Sequence, residues 1–268
     1  MTTALAVNGN HELSDLERAI LAETQADENA FDYIPTRIKF PSGNVNAFTT
    51  NDGDTLKSPF TAIIAVSQKA RAFWPNKETQ GMPPLCASPD GMSGWFDVES
   101  EQAQDAAMLP VKHPALHKLA EGQGPWECAK CPLAQWGSGE GRGQACKVLR
   151  RLIVLVDGWS MPAIMTVPPT SVKTLDSYCS ARARTRGQAY FTAWTEFGLS
   201  EVKSPNTGIK YKVLTLKAGR ALEEGETAEV ITIRHQYANL VRELGISAED
   251  YDTTGETVEG KAEAEPPF

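Results

Sequence analysis

The chain has 268 residues, of which 41% are hydrophobic and 22% charged, with a formal net charge of -8. This length and apolar content can bury a sizeable core, in one large domain with a smaller insert, and they exclude a wholly disordered chain. No apolar run approaches the roughly 18 residues of a membrane-spanning helix, and the start lacks the basic and apolar regions of a secretory signal, so no membrane partner and a cytoplasmic location are expected.

The negative charge is unevenly placed. Glu249, Asp250, Asp252, Glu256, Glu259, Glu263 and Glu265 stand against Lys261 near the C-terminus, whereas residues 142–220 hold thirteen Lys or Arg against four Asp or Glu. A basic body with an acidic tail keeps polyanions among the expected partners.

Residues 1–30 read as an acidic leader with a short helix from Ser14, capped by that serine with Glu17 three residues on. "YIPTRIKF" reads as a strand, the turn-rich stretch to Pro59 as a loop, and "FTAIIAVSQKARAFWP" as a long strand ended by Pro75. Residues 76–147 are rich in Gly, Pro and Cys, with periodicity only around "HPALHKLAEG". So long a stretch without regular elements needs an organiser of its own.

"RRLIVLV", "DGWSMP" and "AIMTV" predict a hairpin. "PPTSVKTLDSYCSARARTRG" predicts a helix capped by Thr170 or Ser171, with Val172, Leu175, Tyr178 and Cys179 on its apolar face and Gly187 as its stop. "QAYFTAWTEFGLSEVK" and "IKYKVLTLK" follow as two antiparallel strands joined by "SPNTG", then a helix over "TAEVITIRHQYANLVREL". Residues 248–268 show no apolar periodicity and read as a disordered tail. The order suits a mainly β fold, a partly open barrel of the oligonucleotide/oligosaccharide-binding (OB) type spanning 31–247 with the insert at about 76–147. Periodicity fits a β-sandwich equally well.

Four of the five cysteines fall in or beside the insert: Cys86, Cys128, Cys131 and Cys146. With no secretory signal, disulfides are disfavoured, and a C-x-x-C knuckle lets two thiolates reach one tetrahedral ion about 2.3 Å away. A structural Zn site is expected, with the glycines of "WGSGEGRGQAC" freeing backbone amides to face sulfur. Four thiolates also suit an iron-sulfur cluster. His113 and His117 are substitute ligands, though Pro114 between them disturbs a helix, and Cys179 belongs to a helix core. Four protein ligands would close the coordination sphere, so the metal would staple the fold and leave no position for an activated water.

Catalytic signatures are missing. "GSGEGRGQACK" lacks the order of a phosphate-binding loop, and neither H-E-x-x-H nor G-x-S-x-G occurs. Asp90, Asp97 and Glu99 are the candidate carboxylates of a divalent-metal nuclease. The expectation is a non-enzyme.

The basic segment is interleaved with aromatic residues, as suits a protein that holds a phosphate chain while stacking exposed bases. Phosphate-contact candidates are Arg142, Lys147, Arg150, Arg151, Arg182, Arg184, Lys210 and Lys212, and stacking candidates are Trp74, Trp194 and Tyr211. Over about 34–220, "KARAFWP", "PLCASPDG", "CAKCPLAQWGSGEGRGQACK", "VPPTSVKTLDSY" and the last strand pair resemble bacteriophage single-stranded DNA-binding proteins that carry a zinc-bearing insert in an OB-type barrel. The ending "AEAEPPF" resembles the acidic C-terminal peptide of such proteins, with a sparser acidic run than usual.

The resemblance implies sequence-tolerant binding of single-stranded DNA in phage replication, recombination or repair, inside the bacterial host. It also implies that Glu263, Glu265, Pro266, Pro267 and Phe268 recruit partner proteins. The tail carboxylates would compete for the cationic groove when DNA is absent. A metal-dependent or iron-sulfur nuclease and a virion or assembly protein are the alternatives.

Overall fold

The computed structural model describes residues 36–41, 45–75, 83–97, 125–139, 143–185, 188–203, 208 and 210–246. The expectations for the leader, His113, His117, Glu99, Arg142, Gly187 and the tail fall outside these residues. The described protein is mainly β, an open sheet with two long helices.

Its centre is β4 (Phe60–Phe73), paired antiparallel with β8 (Lys147–Val156), which turns back into β9 (Ala163–Val167). β8 is buried over most of its length because both sheet faces are covered, so its sequence is apolar at consecutive positions. Alternation sends Leu152, Val154 and Val156 to one core and Ile153 and Leu155 to the other.

β9 leads into α1 (Pro169–Arg184), which packs over the first core through Leu175, Tyr178 and Cys179. The hairpin of β10 (Ala193–Lys203) and β11 (Lys210–Ala221) follows, and β10 returns to β4 through Phe197 opposite Phe60. Those two rings are stacked with centroids 5.0 Å apart. α2 (Glu224–Glu243) covers the second core with Val230, Ile233 and Val241.

Beyond β9 the sheet continues with β1 (Arg37–Lys39), parallel to β9. β2 (Ala47–Thr50) and β3 (Thr55–Lys57) extend it, both within the stretch expected to be loop. The insert also holds strands the sequence did not announce: β5 (Cys86–Ser88) on β4, β6 (Ser93–Phe96) on β5, and β7 (Trp126–Glu127) on β6.

Among the described residues no pairing joins β11 to β9, and the sheet stays open. α1 lies along this gap: the Leu214 amide of β11 donates to Ser171 Oγ at 2.9 Å. Ser171 therefore serves the strand edge, and the cap position expected for it or Thr170 is taken by Pro168. The long strand expected from Gln188 starts only at Ala193, because Tyr190–Thr192 form a 3-10 turn. α2 begins ahead of the expected Thr227, since Glu223 and Glu226 make a capping box. No helix among the described residues is long and apolar enough to cross a membrane.

Candidate metal centre and nucleic-acid interface

The four insert cysteines come from separate elements and line one small pocket with Arg71, Ser88, Gly94, Phe96, Trp126 and Ala134. Cys86 sits opposite Phe73 of β4 and Phe96 of β6. Cys128 follows β7 and donates its amide to Met92 O at 2.7 Å. The knuckle then turns, Cys131 N–H to Cys128 O at 3.3 Å, and Cys146 is tied back by its amide to Leu133 O at 2.8 Å, just before β8. A Cβ on Gly94 would stand 3.0 Å from Cys86 Sγ and 3.7 Å from Cys128 Sγ, so only glycine leaves those sulfurs their space.

Two of the downstream glycines, Gly137 and Gly139, do other work than expected. The amides of Gly137 and Gly139 both donate to Gly143 O, at 3.0 Å each, and do not face sulfur. They close a tight loop whose hub is Ser138 Oγ, which donates to Leu133 O and accepts from the Ala145 amide.

Burial pushes the Cys86 thiol far above its ordinary range, helped by the neighbouring Cys146, Cys128 and Cys131. Cys146 is pushed up to about 12 by burial, against the charge of and a hydrogen bond from Arg71. Cys128 is raised by burial and opposed by a hydrogen bond from Ser88 and the charge of Arg71. Burial at Cys86, Cys128 and Cys146 therefore disfavours the bare thiolate, and a cation is what would reverse that preference. Lining a pocket is a weaker condition than ligation: among the described residues no three His, Cys, Asp or Glu side chains already stand grouped as a metal would hold them.

Of the nuclease candidates, Asp90 is committed to the β5–β6 turn. Its Oδ1 accepts from the Met92 and Ser93 amides and from Ser88 Oγ. Desolvation opposes these bonds, which still hold the carboxyl below its usual range.

The basic candidates divide by sheet face. Arg150 points to the α1 side, where its Nε and Nη2 reach Asp176 at 2.9 and 2.8 Å. Lys69 of β4 sits directly opposite it, and Arg71 shares that face two residues on. Arg182 and Arg184 end α1 itself. On the hairpin, Lys203 opposes Lys210 and Lys212 opposes Glu201, continuing the face of the α1-side core residues Leu199 and Leu214. Glu201 pairs with Lys210 at 2.7 Å and more loosely with Lys212 at 3.7 Å.

Two phosphate candidates lie on the other face. Lys147 has the α2-side register and donates to Gln144 O. Arg151 is 0% exposed, and its guanidinium donates to the carbonyls of Val241, Leu244 and Gly245 at the end of α2, so it is a helix anchor and not a phosphate contact.

The stacking candidates also need correction. Trp194 is only 5% exposed; its Nε1 donates to Glu226 and the Arg220 guanidinium covers its ring at 5.6 Å. Its alternation placed it in the α2-side core, so it has no free face for a base. Trp74 is half-buried against Ala70, Ala72, Leu149 and Ile246. Tyr211 stays half-exposed beside Val202 on the hairpin.

Among the described residues the large exposed rings are two that sequence reasoning passed over, Trp95 at 59% and Trp136 at 80%, both in the insert together with exposed Met92. A tryptophan in a Gly-rich stretch with no apolar partners at strand or helix spacing was the available signal. Comparison of the chain with protein-family models, with curated proteins and with solved structures finds no match in any of the three.

Proposed function

We propose that this protein binds single-stranded DNA without strong sequence preference, on a partly open OB-type barrel stapled by zinc in its insert, during phage replication or recombination in the host cytoplasm. The chain order supports the OB assignment: a three-strand meander of β4, β8 and β9, then α1, then a hairpin whose first strand returns to β4. Barrels of that type grip oligonucleotides with the loops after their first and fourth strands. Those loops correspond here to the thiol insert after β4 and to the tip of the β10–β11 hairpin.

The observation that carries the reading is where like charges meet. Lys69 faces Arg150 at the base of the insert and Lys203 faces Lys210 near the hairpin tip, both on the α1 side of the sheet; Asp176 and Glu201 each offset one member, which leaves a net positive charge at both places. Directly opposed like charges cost stability, and a polyanion is the ligand that relieves them. Trp95 and Trp136 supply exposed stacking faces in the insert, each worth roughly 1 to 3 kcal/mol per base, whereas Tyr211 alternates with Lys210 and Lys212 and so lies on the opposite face of the hairpin.

Cys86, Cys128, Cys131 and Cys146 fit a structural zinc ion: the donor set is four thiols, Gly94 keeps the pocket clear, and two buried N–H donors in its wall have no partner among the described residues. Bound there, zinc would cross-link β5, the knuckle and the start of β8. The tail, with Glu263, Glu265, Pro266, Pro267 and Phe268, would compete with DNA for the basic face and dock replication or recombination proteins.

Titration with oligo-dT at rising salt tests this. Affinity should fall steeply with salt and rise on removal of residues 249–268. Binding should quench tryptophan fluorescence, and the quench should shrink in W95F/W136F but not in W194F. A tailless protein that binds no oligo-dT at low salt ends the reading.

A further inference from the structure

We propose that Arg71 and Trp126 form the outer hydrogen-bond shell of a buried tetrathiolate metal centre, with Arg71 supplying the positive charge that the centre requires. This rests on the zinc reading above. A divalent ion held by four thiolates carries two excess negative charges, and burying them without compensation is costly. The compensation has to come from the pocket wall.

Arg71 is placed there by pairing on both sides of β4, opposite Ser88 of β5 and Val148 of β8. Its backbone is thus fixed on two edges, and its guanidinium reaches the pocket that the four cysteines line. No carboxylate among the described residues pairs with it. Its guanidinium already bonds the Cys146 sulfur, while its Nη1 is buried and has no hydrogen-bond partner among the described residues.

Trp126, held by the pairing of β7 with β6 opposite Gly94, lines the same pocket, and its Nε1 is likewise buried and without a partner among the described residues. Buried donors are almost always satisfied in folded proteins, so two orphans in one small wall ask for a common acceptor. A neutral thiol is a weak acceptor, whereas a metal-bound thiolate carries charge and accepts strongly. Both donors line the pocket that the four sulfurs share, within the wall that would face such an acceptor. Arg71 is accordingly a positioning residue, acting on the metal through the sulfurs.

The test uses the full chain, stripped with chelator under reducing conditions, loaded with Co(II), and then challenged with Zn(II) against a competing chelator. Wild type should take up one Co(II) with the intense sulfur-to-cobalt absorption of a thiolate site. Arg71→Met keeps the length of the side chain but loses its charge and donors, and should weaken zinc binding by roughly 10- to 100-fold. Arg71→Lys keeps the charge and should recover part of that loss, and Trp126→Phe should cost less than Arg71→Met.

Zinc affinity within about twofold of wild type in Arg71→Met would overturn the role of Arg71. If that variant does not accumulate as a folded protein, unchanged affinity in both Arg71→Lys and Trp126→Phe would do so. A wild-type chain that shows no sulfur-to-cobalt absorption, or that purifies brown with iron, instead sinks the zinc reading itself.

Discussion

Replacing Arg151 by methionine separates a buried helix anchor from a ligand-binding cation. The native guanidinium makes contacts of 3.0 Å to Val241 O, 2.5 Å to Leu244 O and 3.3 Å to Gly245 O, where α2 runs out of intrahelical donors. Hydrogen bonds from a charged donor contribute about 1.5 to 3 kcal/mol each, and acceptors left buried and unpaired cost about 1 to 3 kcal/mol. Methionine fills much of the vacated space and removes the cost of burying a charge, which offsets part of the loss.

The expected net destabilisation of Arg151→Met is about 3 kcal/mol, or roughly 6 to 12 °C in melting temperature for a domain of this size. Arg150→Met, next in sequence but on the other face, breaks a partly exposed pair with Asp176 and should cost no more than about 1 kcal/mol. Thermal melts of both variants, with oligo-dT affinity measured below either transition, decide the matter. Equal melting temperatures, or a larger loss of oligo-dT affinity in Arg151→Met than in Arg150→Met, would refute the anchoring argument.

Gly94→Ala should place a methyl group 3.0 Å from Cys86 Sγ and lower metal uptake, measured as cobalt or zinc per chain, while oligo-dT binding at the hairpin persists. Ser171→Ala should leave the Leu214 amide buried without an acceptor and cost about 1 to 3 kcal/mol in a urea melt. Glu226 is held down to about 2, chiefly by its hydrogen bonds from Arg220, against some burial and with help from the Glu223 amide. A carboxyl whose folded value is depressed stabilises the fold above its unfolded value of 4.5 and loses that contribution as pH falls toward 2. Glu226→Gln should therefore flatten the fall in stability over that window, as read by helix circular dichroism, and an unchanged acid profile would contradict the assignment.

The strands with their own chemical signature were legible in the sequence. "RRLIVLV" and "AIMTV" are apolar enough to be strands in any context, and the spacing of Cys128 and Cys131 announced a shared site. β2 and β3 were not legible because "AFTT" and "TLK" are short pieces among turn formers, held as strands by β1 and by each other. Arg151 was misassigned for a related reason. In "RRLIVLV" both faces are apolar, so nothing marks which arginine looks toward α1 and which toward α2. Trp194 was misplaced similarly, since the alternation along β10 was readable but the identity of the covered face depended on α2. Arg71 carried no sequence signal, because its relation to the cysteines exists only once β5 and β8 flank β4.

The chain leaves β4 at Phe73, whose partner is Cys86, and re-enters the sheet at Lys147, whose partner is Ala72. Departure and return thus fall on adjoining rungs of a single strand. Anything spliced between them needs only to bring its two ends together, a requirement that grows slowly with the number of residues added. The segment can accordingly lengthen or shrink without shifting the register of β4 against β8, which makes it the place where new recognition is most easily acquired.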